Sequence, residues 1–255
     1  MTDYIEVRGV RIGEGIPKIC VPIVGRTKEE IKKAAEAVKA ERADVAEWRA
    51  DWFAGVTDSL MVQEVIAELR LILGEIPLLF TFRTAGEGGE KAITVEEYVR
   101  LNQAAVETGK VELIDVELFT GDAEVAKLLQ SAHKAGVKVI MSNHDFEKTP
   151  KKEEIVNRLC RMKEFGADIP KIAVMPKSNK DVLTLLAATE EASCRIHGPV
   201  ITMSMAGTGL VSRLCGEVFG SALTFGTAGM ASAPGQIDAL KLRDILTVIH
   251  DNIAQ

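Results

Sequence analysis

A lysine stands inside a strand-like apolar run at 168–175, flanked by Pro170 and Ile172. A strand buried on both faces reads as near-continuous Val, Ile and Leu. An ammonium taken out of water is costly, so Lys171 needs a reason to be there. A desolvated lysine can form a Schiff base with a ketone. The alternative is a lysine at a strand mouth, with its stem on apolar surface and its head in water. Other groups capable of chemistry recur at or just after the ends of strand-like runs: Glu47, Arg49 and Asp51; Thr81, Arg83 and Glu87; Asp115 and Glu117; and Ser142, Asn143, His144 and Asp145; Arg213 follows the loop after the seventh run. By strand alternation Glu47 and Arg49 share one face and Trp48 takes the other. If Lys171 points inward, Ala173 and Met175 do too, leaving Ile172 and Val174 for covering helices.

Each residue has a plainer use. His144 suits a hydrogen-bonded strand end, and Glu87 a solvated loop. Glu47 with Arg49 suits a structural ion pair, and Met203 and Met205 suit core filling. Together, those uses would require charged groups to gather at one place without purpose.

The elements that carry these groups alternate along the chain. Residues 4–13 read as a hairpin turning near Gly9. Strand-like runs begin near Lys18, Asp44, Pro77, Val111, Val137, Pro170, Pro199 and Ala222. Between and after them, apolar residues at three- and four-residue spacing predict helices over 27–41, 59–73, 94–109, 122–136, 151–166, 181–193, 210–220 and 237–253. Thr27 with Glu30 and Thr94 with Glu97 resemble capping boxes, and Gly109, Gly136 and Gly166 fit helix stops. This alternation predicts an α/β fold, a (β/α)8 TIM barrel with a short N-terminal β-hairpin, as one domain over 1–255. An open doubly wound sheet is the runner-up, but no Gly-x-Gly-x-x-Gly follows the first strand. In a barrel the C-terminal strand ends form the site.

Composition narrows the classes. The 255 residues are 47% hydrophobic with a net charge of −6, and charges of both signs are interspersed. No nucleic-acid surface is expected. No apolar run is long enough to span a bilayer, and no leader pattern opens the chain, so a cytoplasmic setting is expected. Cys20, Cys160, Cys194 and Cys215 have no metal-ligand spacing. The first, second and fourth read as reduced packing residues, and Cys194 as partly exposed.

The motifs at 47–49, 80–83, 87–89, 141–146, 170–173 and 232–236 occur in an order and spacing similar to type I 3-dehydroquinate dehydratases, over essentially the whole chain. Met203 to Ala206 and Gly216 to Ser221 are similar too. The resemblance implies a homodimeric barrel of the shikimate route that dehydrates 3-dehydroquinate to 3-dehydroshikimate without metal or cofactor. It implies Lys171 as the imine-forming group, His144 as the acid–base and Glu87 as its partner. Arg213, Ser232 and Gln236 would receive the substrate carboxylate, and Glu47, Arg49 and Arg83 the ring hydroxyls. Met203, Met205 and Phe146 would form apolar walls. The Gly-rich segment 226–236 suits a lid. Pro22 stands where the family commonly has serine, and Gly207, Gly229 and Met230 where lysines are frequent. Two rivals remain: an aldolase-like Schiff-base barrel, and a barrel that binds sugar acids without reacting.

Overall fold

The computed structural model describes residues 4–229 and 236–253. The hairpin comes first: β1 (Ile5–Val7) pairs antiparallel with β2 (Val10–Ile12). Arg8 and Gly9 both have positive φ, 46° and 76°, as a two-residue type I′ turn requires. Eight parallel strands follow: β3 (Lys18–Ile23), β4 (Val45–Arg49), β5 (Leu78–Thr81), β6 (Leu113–Glu117), β7 (Lys138–Asp145), β8 (Ile169–Val174), β9 (Ile201–Ser204) and β10 (Leu223–Thr227). They lie in that order in the sheet, and β10 pairs with β3. The ring closes at the base of β9 and β10. There Val200 bridges Ser221, and the Ala222 N–H donates to the Val200 carbonyl at 2.8 Å. Nearer the mouth, β10 takes a different neighbour, the two-residue β11 (Ile237–Asp238). The expected barrel and hairpin are both present.

Helices cover the outside: α1 (Lys28–Ala40), α2 (Ser59–Leu73), α3 (Val95–Glu107), α4 (Asp122–Lys134), α5 (Lys152–Glu164), α6 (Asn179–Arg195), α7 (Leu210–Leu214), α8 (Gly216–Phe219) and α9 (Ala239–Ile253). Thr27–Glu30 and Thr94–Glu97 form the expected capping boxes. Three boundaries differ from the sequence reading. The helix expected over 181–193 starts earlier, because Ser178 and Asp181 form a capping box of their own. The single helix expected over 210–220 is two short ones, broken at Cys215. Between them Cys215 leaves helical geometry, with φ −103° and ψ 23°. Residues 237–238 extend the sheet as β11, and the last helix starts only at Ala239.

Strand alternation sorts the apolar residues into two cores. Outward residues such as Trp48, Phe80, Ile172 and Val174 pack beneath the helices. Inward residues such as Val45, Leu79, Leu113, Ile140 and Ile201 fill the barrel. Val7 and Ile12 of the hairpin belong to that inner core, and Ile12 is fully buried. The hairpin therefore plugs the barrel, and apolar layers give way to polar ones toward the C-terminal strand ends. Cys20 is buried, Cys160 and Cys215 are half-buried, and Cys194 is exposed. No described helix is long and apolar enough to cross a membrane.

Candidate active site

A cavity of about 50 Å³ opens at the C-terminal ends of the strands. It is lined by Glu47, Arg49, Arg83, Glu87, His144, Phe146, Lys171, Met203, Met205, Arg213 and Gln236, together with Gly88, Ala173 and Phe225. Every residue expected at the site is therefore gathered here except Ser232, which lies outside the described residues. The central part of the Gly-rich segment lies outside them too. Pro22 lines a different cavity, beside Trp52 and Ala228.

Lys171 is buried on β8 and faces inward, with Ala173 on the same face. Its Nζ lies 3.4 Å from Asp115 Oδ2, 4.0 Å from Glu47 Oε1 and 4.6 Å from the centre of the Phe225 ring. Two carboxylates and an aromatic face thus surround one nitrogen. Thr81 fixes Glu47 by donating to Oε1 at 3.0 Å. Asp115 is fixed by Ser142, which donates to Oδ1 at 2.6 Å, and by Arg83 at 2.7 Å. Burial works against the Asp115 anion, yet Arg83 and Lys171 outweigh it and hold this carboxyl below its ordinary range.

Arg83 is the hub of the charged layer. It donates to Asp115 and Glu117 at 2.7 Å each and to Ser142 at 3.1 Å, and stands 3.5 Å from Glu87. Arg49 makes a two-pronged pair with Asp51, both bonds 2.8 Å. Both guanidiniums are therefore oriented by protein carboxylates before any ligand arrives.

Glu87 and His144 form a buried pair. Glu87 ends a single 3₁₀ turn (Ala85–Glu87) after β5. Gly88 follows with φ +83°, and a Cβ there would overlap the Phe146 ring; a Cβ on Gly89 would overlap the Arg83 carbonyl. These two glycines let the turn fold down on the barrel mouth. Glu87 Oε2 accepts from the His144 backbone N–H and from His144 Nδ1, both at 2.9 Å. Asn143 donates to Oε1 at 3.1 Å. Burial raises the Glu87 carboxyl to about 7; Arg83 opposes this and Glu117 adds to it. Burial, then the cations Arg83, Lys171 and Arg49, hold His144 well below the usual imidazole range. The ring is thus neutral near pH 7. With the hydrogen on Nδ1, Nε2 keeps a lone pair able to take a proton.

Arg213 is supplied by α7, which is tied to β9 through Ser212: its hydroxyl accepts from the Ser204 N–H at 2.9 Å. Arg213 is 1% exposed, Nη1 lies 3.7 Å from Met203 Sδ, and burial pushes its pKa down to about 10. A guanidinium this dry strongly favours an anion. Phe225 was not among the expected site residues. The signal for it was alternation on β10, which turns Leu223 and Phe225 to one face.

A closed (β/α)8 barrel that collects buried acids, bases and cations at its C-terminal mouth has the architecture of a TIM-barrel enzyme. The Type I 3-dehydroquinase family pattern matches residues 19–253. The chain belongs to that family. It is 58% identical over 248 residues to 3-dehydroquinate dehydratase of Listeria innocua, covering 97% of this chain and 98% of the relative. It is 56% identical over 255 residues to that of Clostridioides difficile, covering 99% of this chain and all of the relative. A crystal structure of the Clostridium difficile type I enzyme, covalently modified with comenic acid, superposes with a TM-score of 0.96 at 55% identity, covering 98% of this chain and 99% of that one.

Proposed function

We propose that this barrel dehydrates 3-dehydroquinate to 3-dehydroshikimate through an imine on Lys171. The observation that carries the reading is a buried strand lysine sharing one cavity with a histidine whose Nδ1 lies 2.9 Å from the Glu87 carboxyl. Lys171 Nζ adds to the substrate ketone and water leaves, forming a protonated imine. That imine is an electron sink, so the neighbouring C–H becomes acidic. His144 Nε2 takes this proton, and the C–H electron pair moves into an enamine. The enamine returns the pair and expels the β-hydroxyl, which receives the proton from His144. Water then hydrolyses the conjugated imine, releasing the product and the free lysine. The balance is one water lost per turnover, without metal or cofactor.

The residues divide the work. Asp115, Glu47 and the Phe225 face lie around the nitrogen where the iminium charge forms. Glu87 steadies the imidazolium that appears on His144. Arg213, with Gln236 and Ser232, receives the carboxylate by a two-pronged bond. Glu47, Arg49 and Arg83 meet the ring hydroxyls, and Met203, Met205 and Phe146 wall the ring. The same reading takes residues 1–255 as one catalytic domain, acting as a homodimer in the cytoplasm on the shikimate route. Sedimentation velocity tests the dimer.

An aldolase-like barrel would share the lysine but cleave a carbon–carbon bond. A non-reacting binding barrel would form no covalent adduct. Absorbance of the conjugated enone made from 3-dehydroquinate separates water loss from cleavage. Borohydride with substrate is expected to inactivate the protein and add mass to the peptide holding Lys171, and Lys171→Met to abolish the adduct. Mass on another lysine, or none, refutes the assignment.

A further inference from the structure

Asn143 precedes His144 on β7, so the two side chains leave opposite faces of the strand. His144 turns to the cavity. Asn143 lies between Glu87 and helix α5. Its Nδ2 donates to Glu87 Oε1 at 3.1 Å, and its Oδ1 accepts from Arg158 Nη1 at 2.7 Å. A carboxylate only accepts and a guanidinium only donates. A single orientation of the amide satisfies both partners.

We propose that Arg158 is a positioning residue for the dehydration: by holding Oδ1 of Asn143 it keeps the amide N–H on Glu87, and so steadies the carboxylate that orients His144. This deepens the proposed function and rests on the reading of Glu87 and His144 as the proton-transfer pair. Arg158 touches none of the reacting groups. It lies in a separate surface groove with Phe119, Lys151, Glu153 and Arg161. Its other arm pairs with Glu154 one turn back on α5, and its guanidinium carbon lies 5.6 Å from the centre of the Phe119 ring. The relay runs from the outside of α5 to the acid–base pair through one amide.

The charges facing Glu87 come from several elements. Arg83 follows β5, at 3.5 Å from Oε2; Asp115 and Glu117 come from β6; and His144 comes from β7. From α5 come Arg158 and Glu154, one remove away. Without Arg158 the amide is free to turn its carbonyl toward the carboxylate. Glu87 then loses a donor that favours its anion. Its proton is held to higher pH, and His144 loses the partner that fixes its tautomer.

The test is the pH profile of dehydration. Arg158→Met is expected to move the acid limb of kcat/KM upward by roughly 0.5–1 pH unit and to lower kcat about 3- to 10-fold at pH 6, with KM little changed. Arg158→Lys keeps a donor and is expected to recover most of the shift. In an Asn143→Leu background, Arg158→Met should add nothing further. If Arg158→Met does not fold, Arg158→Ala carries the same readouts, because it too offers Asn143 Oδ1 no donor. An acid limb that stays in place, or effects that add fully in the Asn143→Leu background, overturns the proposal. Glu87→Gln separates the two levels. If that variant leaves the limb unmoved, the reading of the acid–base pair fails. If it moves the limb and the Arg158 variants do not, only the role of Arg158 fails.

Discussion

At the scale of single residues, the site separates imine formation from proton transfer. Lys171 has its own neighbours, Asp115, Glu47 and Phe225, whereas His144 is held by Glu87. His144→Ala is therefore expected to stop turnover by about 10²–10⁴-fold, the usual worth of a general acid–base. The imine should still form, so borohydride should trap more adduct than in wild type, as intact-mass spectrometry will record. Near-normal turnover would place the base elsewhere. Arg213→Lys keeps the charge and loses the fork. A charge-assisted hydrogen bond contributes ~1.5–3 kcal/mol, so binding of the product carboxylate should weaken roughly 10- to 100-fold in calorimetry. Unchanged affinity would show that the carboxylate docks away from α7.

At the scale of elements, function and stability occupy opposite ends of the barrel. The C-terminal mouth carries the charges, while the hairpin closes the other end with Val7 and Ile12. Ile12→Ala removes fully buried apolar volume far from the chemistry. It should cost ~2–5 kcal/mol in urea unfolding and leave kcat at moderate temperature within a factor of two. Equal loss of both would mean that the hairpin also shapes the site. The 3₁₀ turn behaves in the opposite way. Gly89→Ala would drive a methyl into the Arg83 carbonyl and displace both Glu87 and Arg83, so activity should fall more than stability does.

At the scale of the whole molecule, the buried charges link folding to pH. Glu87 titrates at about 7 in the fold against 4.5 when exposed. Between those values the folded chain holds a proton that the unfolded chain has released, so this group lowers stability as pH rises through that window. His144, depressed by burial and cations, acts with the opposite sign and loses stability as pH falls below its ordinary range. Comparing wild type with Glu87→Gln isolates the carboxyl. Wild type should lose on the order of 3 kcal/mol relative to the variant between pH 4.5 and pH 7, read from urea midpoints. Parallel curves would show that Glu87 stays ionised in the fold.

Local rules carried much of this in the sequence itself. Period-2 and period-3.6 patterns mark the eight strands and most helices, because each element has one face to bury. Alternation alone put Glu47 and Arg49 on one face and Lys171 with Ala173 on one face; which face turns inward was settled by the closed barrel. The motif order carried the family. Other features depend on approaches across the chain that no local pattern encodes. The break at Cys215 and the pairing of β11 with β10 are two such features. Phe225 acquires meaning only 4.6 Å from Lys171, and Arg158, on an outer helix, only through its bond to Asn143. The acid–base state of Glu87 is likewise tertiary. Loop glycines bring it down beside Arg83 and His144, and burial there, which side-chain type does not specify, decides how tightly it holds its proton.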